Sequence, residues 1–527
     1  MKDYSLVPAA HELLKRGAER HPNQEAVYDG TRRLSYAELE KESAALAQAL
    51  LSLGVEKGDH VAVSLPNWHE FTVVLFTLSK IGAVIVPLNT KYKETEMEYI
   101  LTNAKVKAAF FCESAEDNPL AEHFFRISEK SKYVEHFITV RFEHERAHSY
   151  HSLVDYGQGQ DRELPDVSSK QPFAIMYTSG TTGKPKGAVL THYNVVTTAE
   201  MTSEFMECTS DDVFLVPVPL FHIFGMVPSI LTAAAASSKI VLLESFKAEK
   251  ALQLIEQERV TVHHGVPTMF ILELNHPRLQ TYDLTSLRTG IAAAAPVPEE
   301  IVKKIRKEMN CEILVSYGMT EASPCLTATT FDDPDELRAE TVGKAMPGVE
   351  LKIVEQQSRE SVKPGEVGEI VARTPGIMKG YYEMPEKTSE VLSSDGWYAT
   401  GDLGTMDEDG YVRIAGRKKD LIIRGGYNIY PREVEEYFYK HQAVSEVAII
   451  GLPDSVLGEV SCAVIKLKEE KAATEDDMRS FIRDKVAYYK VPDKFVFVPS
   501  LPMTASGKIS RIALQKQMKQ ELETELK

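Results

Sequence analysis

The chain has 527 residues, 43% of them hydrophobic and 26% charged, with a net charge of −17. That length exceeds what one hydrophobic core supports, so two or more domains are expected in a globular protein of ordinary composition. The acidic balance excludes nonspecific nucleic-acid binding and a basic membrane-facing surface.

Five cysteines, Cys112, Cys208, Cys311, Cys325 and Cys462, show no CxxC spacing. They point to a reducing compartment and give no zinc site. Met1 to Pro8 lacks an uninterrupted apolar run, so no signal peptide is expected. The apolar runs Val73–Leu88 and Met226–Leu243 are broken by Lys80, Lys239 and serines, and neither reads as a membrane span. A cytoplasmic protein is expected, with peripheral membrane contact left open.

In chain order, His11–His21 reads as a helix, and two short strands flank Asp29-Gly30 as a hairpin. Ser35 as N-cap and Glu38 as its capping-box partner start a helix to about Leu53, ended by Gly54. His60–Leu65 is a strand and Trp68–Ile81 a helix. Ala83–Leu88 is a continuous apolar run, as in a strand buried on both faces. Glu94–Asn103 reads as a helix and Ala108–Cys112 as a strand. Strands alternating with helices predict α/β layers with largely parallel sheets. Glu145 to Ser169 is polar and turn-rich and reads as a connection to a second half.

Tyr177 to Gly187 reads Tyr-Thr-Ser-Gly-Thr-Thr-Gly-Lys-Pro-Lys-Gly. A loop so rich in small residues and hydroxyls, set between two strands, can bring N–H and O–H donors to phosphate oxygens, with Lys184 and Lys186 adding charge. It is not a Walker A loop, which needs Gly-Lys-Ser/Thr opening a helix.

Beyond it come strand Asp212–Val218, Leu220-Phe221-His222-Ile223-Phe224-Gly225 and an apolar helix. Strand Val260–Gly265 and Thr289-Gly290-Ile291 follow, the latter leading into Ala292-Ala293-Ala294-Ala295. Ser316-Tyr317-Gly318-Met319-Thr320-Glu321 supplies an aromatic face for a purine, a hydroxyl for a phosphate and an oxygen ligand for Mg²⁺. Asp402, read as following a turn at Gly401 at a strand end, offers an ionised carboxylate that can accept both ribose hydroxyls. Gly416-Arg417-Lys418-Lys419-Asp420 is a dense, solvated charged run. Gly425 and Gly426 precede helix Arg432–His441, and a thin cofactor arm can pass close to their backbone. The remainder reads as α+β: strands Ser445–Ile450 and Cys462–Leu467, helix Glu475–Tyr489 and strand Phe495–Val498. Lys508 then sits on a glycine-containing loop.

These motifs, in this order from about Thr31 to Arg511, resemble the adenylate-forming (ANL) superfamily of acyl-CoA synthetases, nonribosomal-peptide adenylation domains and luciferases. The closest resemblance is to bacterial fatty-acyl-CoA ligases. The resemblance implies a large N-terminal domain, residues 1–417, with two α/β sheet subdomains and a small β-rich one. A hinge at 418–420, pivoting at Lys419, would lead to a small mobile α+β domain at 421–527.

It also implies site roles. Thr178, Ser179, Gly180, Thr181, Thr182, Gly183 and Lys186 would hold the phosphates of ATP, with Thr182 acting in catalysis. Tyr317 and Gly318 would face the adenine, Thr320 the α-phosphate and Glu321 the Mg²⁺. Asp402 and Arg417 would bind ribose, Gly425 and Gly426 would line the pantetheine channel of coenzyme A, and Lys508 would neutralise charge during adenylation.

His222 would sit at the mouth of an acyl pocket. Amino-acid-activating relatives place an Asp after the neighbouring Phe, and this sequence has no carboxylate there. Relatives usually carry a glycine within the stretch aligned with the alanine run, so these alanines depart from the pattern. They serve equally well as ordinary close packing.

The implied reaction is two-step. A carboxylate attacks the α-phosphorus of ATP, and the thiol of CoA then displaces AMP. Pro324-Cys325-Leu326, Val266-Pro267 and the alanine run suggest an apolar pocket for a medium- or long-chain fatty acid. An aryl acid of benzoate or cinnamate type is the alternative, as is a stand-alone enzyme loading a carrier protein. The partners are therefore small molecules, and a homodimer is left open.

Overall fold

The local signals act as their residues dictate. Asp29 Oδ1 accepts the N–H groups of Thr31 and Arg32 at 3.0 and 2.9 Å, which closes the first hairpin. Ser35 and Glu38 exchange reciprocal bonds of 3.2 and 2.7 Å, which start helix Tyr36–Ser52. Gly54 beyond its end adopts φ +83°, a left-handed angle glycine takes without a Cβ clash. The computed structural model describes residues 7–130, 132–178, 185–295, 297–355, 357–425, 427–454, 456–469, 471–503 and 509–525.

The chain divides into two compact units, residues 1–351 with 372–398, and residues 352–371 with 399–527. The first holds two large sheets. One has eight strands in the order Gly380–Tyr381, Lys186–Thr191, Pro172–Thr178, Val84–Pro87, His60–Ser64, Ala108–Phe111, His136–Thr139, His148–Ser149. Strands Val84–Pro87 and Ala108–Phe111 are buried throughout, which is why they read as unbroken apolar runs.

The other sheet has nine strands and includes parallel neighbours Val213–Val216, Val262–His263, Thr289–Ala292 and Glu312–Tyr317. Asn67 ties the sheets together. It follows strand His60–Ser64, its Nδ2 lies within 3.1 Å of the carbonyls of Val216, Val218 and Leu243, and its Oδ1 accepts the N–H of Leu220.

The second unit contains a four-stranded sheet ending in the antiparallel pair Tyr398–Met406 and Val412–Arg417. Its other sheet is built on the hairpin Val444–Asp454 and Gly458–Leu467, with Lys494–Phe497 added in parallel. Helix Pro431–Tyr439 starts on Pro431, which gives up no needed N–H there.

Several expectations need correction. The polar stretch 145–169 contains strand His148–Ser149 and helix Tyr150–Gly157. Tyr150, Leu153 and Val154 share one helical face and are buried. A Cβ on Gly157 would lie 1.8 Å from the Ala45 carbonyl, so glycine allows the helices to touch. The apolar segment after Gly225 begins as a π-helix, Gly225–Leu231, with Pro228 inside it. Pro228 cannot donate to the Phe224 carbonyl, and the Ser229 hydroxyl does so at 3.1 Å. The helix from Glu475 stops at Arg483, short of Tyr489. Asp402 lies within strand Tyr398–Met406 rather than at a strand end; the turn signal came from Gly401, whose φ is +72°.

Candidate active site

Thr178 and Lys186 are cross-strand partners where the antiparallel strands Pro172–Thr178 and Lys186–Thr191 reach the phosphate-loop sequence. The Thr178 hydroxyl donates to the Lys186 carbonyl at 3.4 Å. Ser179, Gly180, Thr181, Thr182 and Gly183, expected to hold phosphate, lie outside the described residues.

Glu321 stands in the short turn Thr320–Ala322, reached from strand Glu312–Tyr317 through Gly318. Any Cβ at Gly318 would fall 1.2 Å from the Pro324 carbonyl, so the backbone itself requires this glycine. Tyr317 pairs with Thr327, and its carbonyl accepts the Leu326 N–H at 3.0 Å.

The two-residue strand Gly380–Tyr381 joins these parts. Tyr381 pairs with Ala188, and the Lys379 N–H donates to the Val189 carbonyl. The Met378 N–H donates to the Glu321 carbonyl at 2.8 Å. The Tyr381 hydroxyl then donates to Glu321 Oε1 at 3.0 Å. Lys186 Nζ stands 4.2 Å from the centroid of the same ring, a cation–π distance. The Tyr398 hydroxyl bonds to that of Tyr381. Burial, followed by the Glu321 charge, raises the pKa of both tyrosines, so both remain donors.

Thus Lys186, with Thr178 paired to it, and Glu321 meet on a tyrosine whose sequence context signals no role. Tyr381 lies in Lys-Gly-Tyr-Tyr, a string with no charge pattern of its own beyond Lys379. Only its pairing with a strand nearly two hundred residues earlier reveals its position.

Glu321 offers an ionisable oxygen donor, the type a hard cation takes, and a carboxylate retains further lone pairs after one hydroxyl bond. The donor set therefore fits Mg²⁺. Elsewhere, among the described residues, only Asp29, His69 and Glu70 form a potential metal-binding group. Arg141 ion-pairs with Asp29 and lies 2.8 Å from Glu70, supplying that cluster with its cation.

His222 is half-buried, and its Nδ1 accepts the Phe224 N–H at 3.3 Å. Gly225 packs its α-carbon where a Cβ would meet the Pro219 carbonyl at 2.4 Å. In the alanine run, Ala294 has φ +71°, the left-handed conformation that glycine adopts without strain.

In the second unit, Asp402 and Arg417 face each other across the antiparallel pair, with Arg417 Nε 3.1 Å from Asp402 Oδ1. Asp402 is buried and Arg417 exposed. Lys419 is exposed in the turn Lys418–Asp420, and Lys418 reaches Glu369 at 3.4 Å.

Gly425 has φ +55° between the paired residues Arg424 and Tyr427, which explains a glycine there by hairpin geometry. Gly426 and Lys508 lie outside the described residues. The segment bearing Lys508 is flanked by a bridge between Met503 and Ile509. Just beyond, Arg511 bonds Glu435 at 2.6 Å and Asp420 at 3.4 Å.

No helix of the described residues is long and apolar enough to cross a membrane. The AMP-binding enzyme family matches residues 14–382, and the AMP-binding enzyme C-terminal domain matches residues 433–508. The putative acyl-CoA synthetase YngI of Bacillus subtilis is 38% identical, over 95% of this chain and 96% of that protein. The mitochondrial medium-chain acyl-CoA ligase ACSF2 of Rattus norvegicus is 34% identical, over 97% of this chain and 88% of that protein. Among solved structures, the anthranilate CoA ligase AuaEII in complex with anthranoyl-AMP superposes with a TM-score of 0.88 at 27% identity, covering 98% of this chain and 99% of that one. The chain belongs to the AMP-binding enzyme family, among the AMP-forming acyl-CoA ligases of the adenylate-forming superfamily.

Proposed function

We propose that the enzyme activates a medium- or long-chain fatty acid and transfers its acyl group to coenzyme A. The carboxylate oxygen attacks the α-phosphorus of ATP, the bond to the β-phosphate oxygen breaks, and acyl-adenylate and pyrophosphate result. The CoA sulfur then attacks the acyl carbon, AMP leaves, and the thiol proton passes to solvent.

Both groups that meet in the first step are anionic, so catalysis rests on positioning and charge neutralisation. Thr178, the hydroxyl-rich loop with Thr182, and Lys186 hold phosphate oxygens. Thr320 faces the α-phosphate, and Tyr317 and Gly318 the adenine. Asp402 and Arg417 hold the ribose. Glu321, oriented by Tyr381, would hold Mg²⁺, which supplies further neutralisation when bound. Lys508 supplies a cation for adenylation, the backbone at Lys419 rotates between the half-reactions, and Gly425 and Gly426 border the pantetheine arm.

The observation that carries this reading is the meeting of Lys186 and Glu321 on Tyr381, with Thr178 paired to Lys186 across the strands. The fatty-acid assignment is supported by likeness to ligases named for medium-chain acids and by the apolar segment beside His222. An aryl acid is the second reading, favoured by the likeness to the anthranilate ligase.

Pyrophosphate release from a panel of saturated and aryl acids, with and without CoA, tests both. Fatty acids should give the highest kcat/KM and form thioester only with CoA. A clear preference for benzoates or cinnamates would replace the first reading with the second. Removing Mg²⁺ with EDTA should stop the reaction.

A further inference from the structure

His264 is fully buried and makes one hydrogen bond from each ring nitrogen. Nε2 lies 3.1 Å from the carbonyl of Pro228, inside the π-helix. Nδ1 accepts the N–H of Ile291 at 3.0 Å. A neutral imidazole has one donor and one acceptor, so Nε2–H donates to Pro228 while Nδ1 receives from Ile291. Burial lowers its pKa to about 3, which keeps the ring neutral. The ring stacks on Phe224 at 5.7 Å and meets Phe214 edge-on at 5.6 Å.

The two bonded partners belong to different elements. Pro228 lies in the π-helix that follows His222, and Ile291 lies in strand Thr289–Ala292, which leads into the alanine run. Every residue of Gly225–Leu231 is buried, so a shift of that helix displaces packed side chains rather than solvent. Such a shift would reach His222 through Phe224, which stacks on the imidazole and donates its N–H to His222 Nδ1, and through Met226, whose N–H donates to the His222 carbonyl at 3.1 Å.

We infer that His264 is a positioning residue that fixes the π-helix against the Ile291 strand end and thereby determines which acid chains the enzyme accepts. This rests on the proposed function, in which His222 and the π-helix border the acyl chain. A Leu in place of His264 keeps apolar volume but removes both bonds. A Gln retains one donor and one acceptor on a flexible side chain.

The test compares wild type, His264→Leu and His264→Gln on saturated acids of graded length, measuring KM for acid and ATP, kcat, and peptide-level hydrogen exchange over residues 225–232. In His264→Leu the acid KM should rise about tenfold for the preferred length, the scale of a one-methylene misfit in an apolar pocket. The preferred length should also change, the KM for ATP should hold, and residues 225–232 should exchange faster. His264→Gln should recover most of the acid KM and the slow exchange.

An unchanged length profile in a folded His264→Leu enzyme would overturn the inference, as would an equal fall in kcat for every acid. Wild-type enzyme that converts no fatty acid would instead overturn the substrate reading, and the specificity role with it.

Discussion

The hydroxyl of Tyr381 donates to Oε1 of Glu321 at 3.0 Å, while Lys186 stands over the same ring at 4.2 Å. One aromatic side chain therefore connects the exit of the phosphate-loop sequence to the candidate Mg²⁺ carboxylate. Tyr381 also receives the Tyr398 hydroxyl, so the carboxylate sits at the end of a short hydroxyl chain.

Tyr381→Phe keeps the ring for Lys186 and removes the hydroxyl that donates to Glu321 and accepts from Tyr398. Hydrogen bonds to charged groups are worth about 1.5–3 kcal/mol, so adenylate formation should fall roughly tenfold or more. The Mg²⁺ concentration for half-maximal rate should rise, while thioester formation from supplied acyl-adenylate should persist. Pyrophosphate exchange across a Mg²⁺ titration checks this; an unchanged Mg²⁺ dependence would remove Tyr381 from the site.

Ala294→Gly should stabilise the protein. The left-handed backbone at Ala294 costs an L-residue about 1–2 kcal/mol, and glycine loses roughly 0.5–1 kcal/mol of that advantage through its freer unfolded chain. A net gain of about 0.5–1 kcal/mol is expected from chemical denaturation. A less stable glycine variant would show that the alanine run makes contacts that outweigh the strain.

Much of this was legible locally. Ser35 and Glu38 announced their helix start, the apolar run 83–88 its buried strand, and the family motifs their order. Three features were not legible, for physical reasons. Tyr381 acquires its position through a strand pairing distant in sequence, on a two-residue strand too short to show any alternation. In the π-helix Pro228 lacks an N–H, the Ser229 hydroxyl takes the Phe224 carbonyl, and His264 bonds the carbonyl of Pro228 itself, none of which an apolar pattern encodes. The strain at Ala294 is a backbone angle, visible in the sequence only as the unexpected alanine run.

Lys419→Pro should uncouple the half-reactions. Lys419 lies in the exposed turn between strands Val412–Arg417 and Ile422–Arg424, and proline fixes φ near about −65° and removes an N–H. Adenylation should persist and thioester formation should fall steeply, with little change in stability. Single-turnover kinetics of each half-reaction decide it; wild-type rates in both would place the hinge elsewhere.

Lys508→Ala should lower adenylate formation by about 10²–10³, the loss seen when one group stabilising a transition-state charge is removed. Thioester formation from supplied acyl-adenylate should be spared. Equal losses in both half-reactions, measured separately, would refute that division of labour.

The most direct measurement follows the oxygen. A fatty acid labelled with ¹⁸O in its carboxylate is converted by the wild-type enzyme with ATP, Mg²⁺ and CoA, and the products are weighed by mass spectrometry. Attack of the carboxylate on the α-phosphorus predicts one ¹⁸O in each AMP and none in pyrophosphate. Label in phosphate or pyrophosphate, or unlabelled AMP beside acyl-CoA, would contradict an acyl-adenylate route.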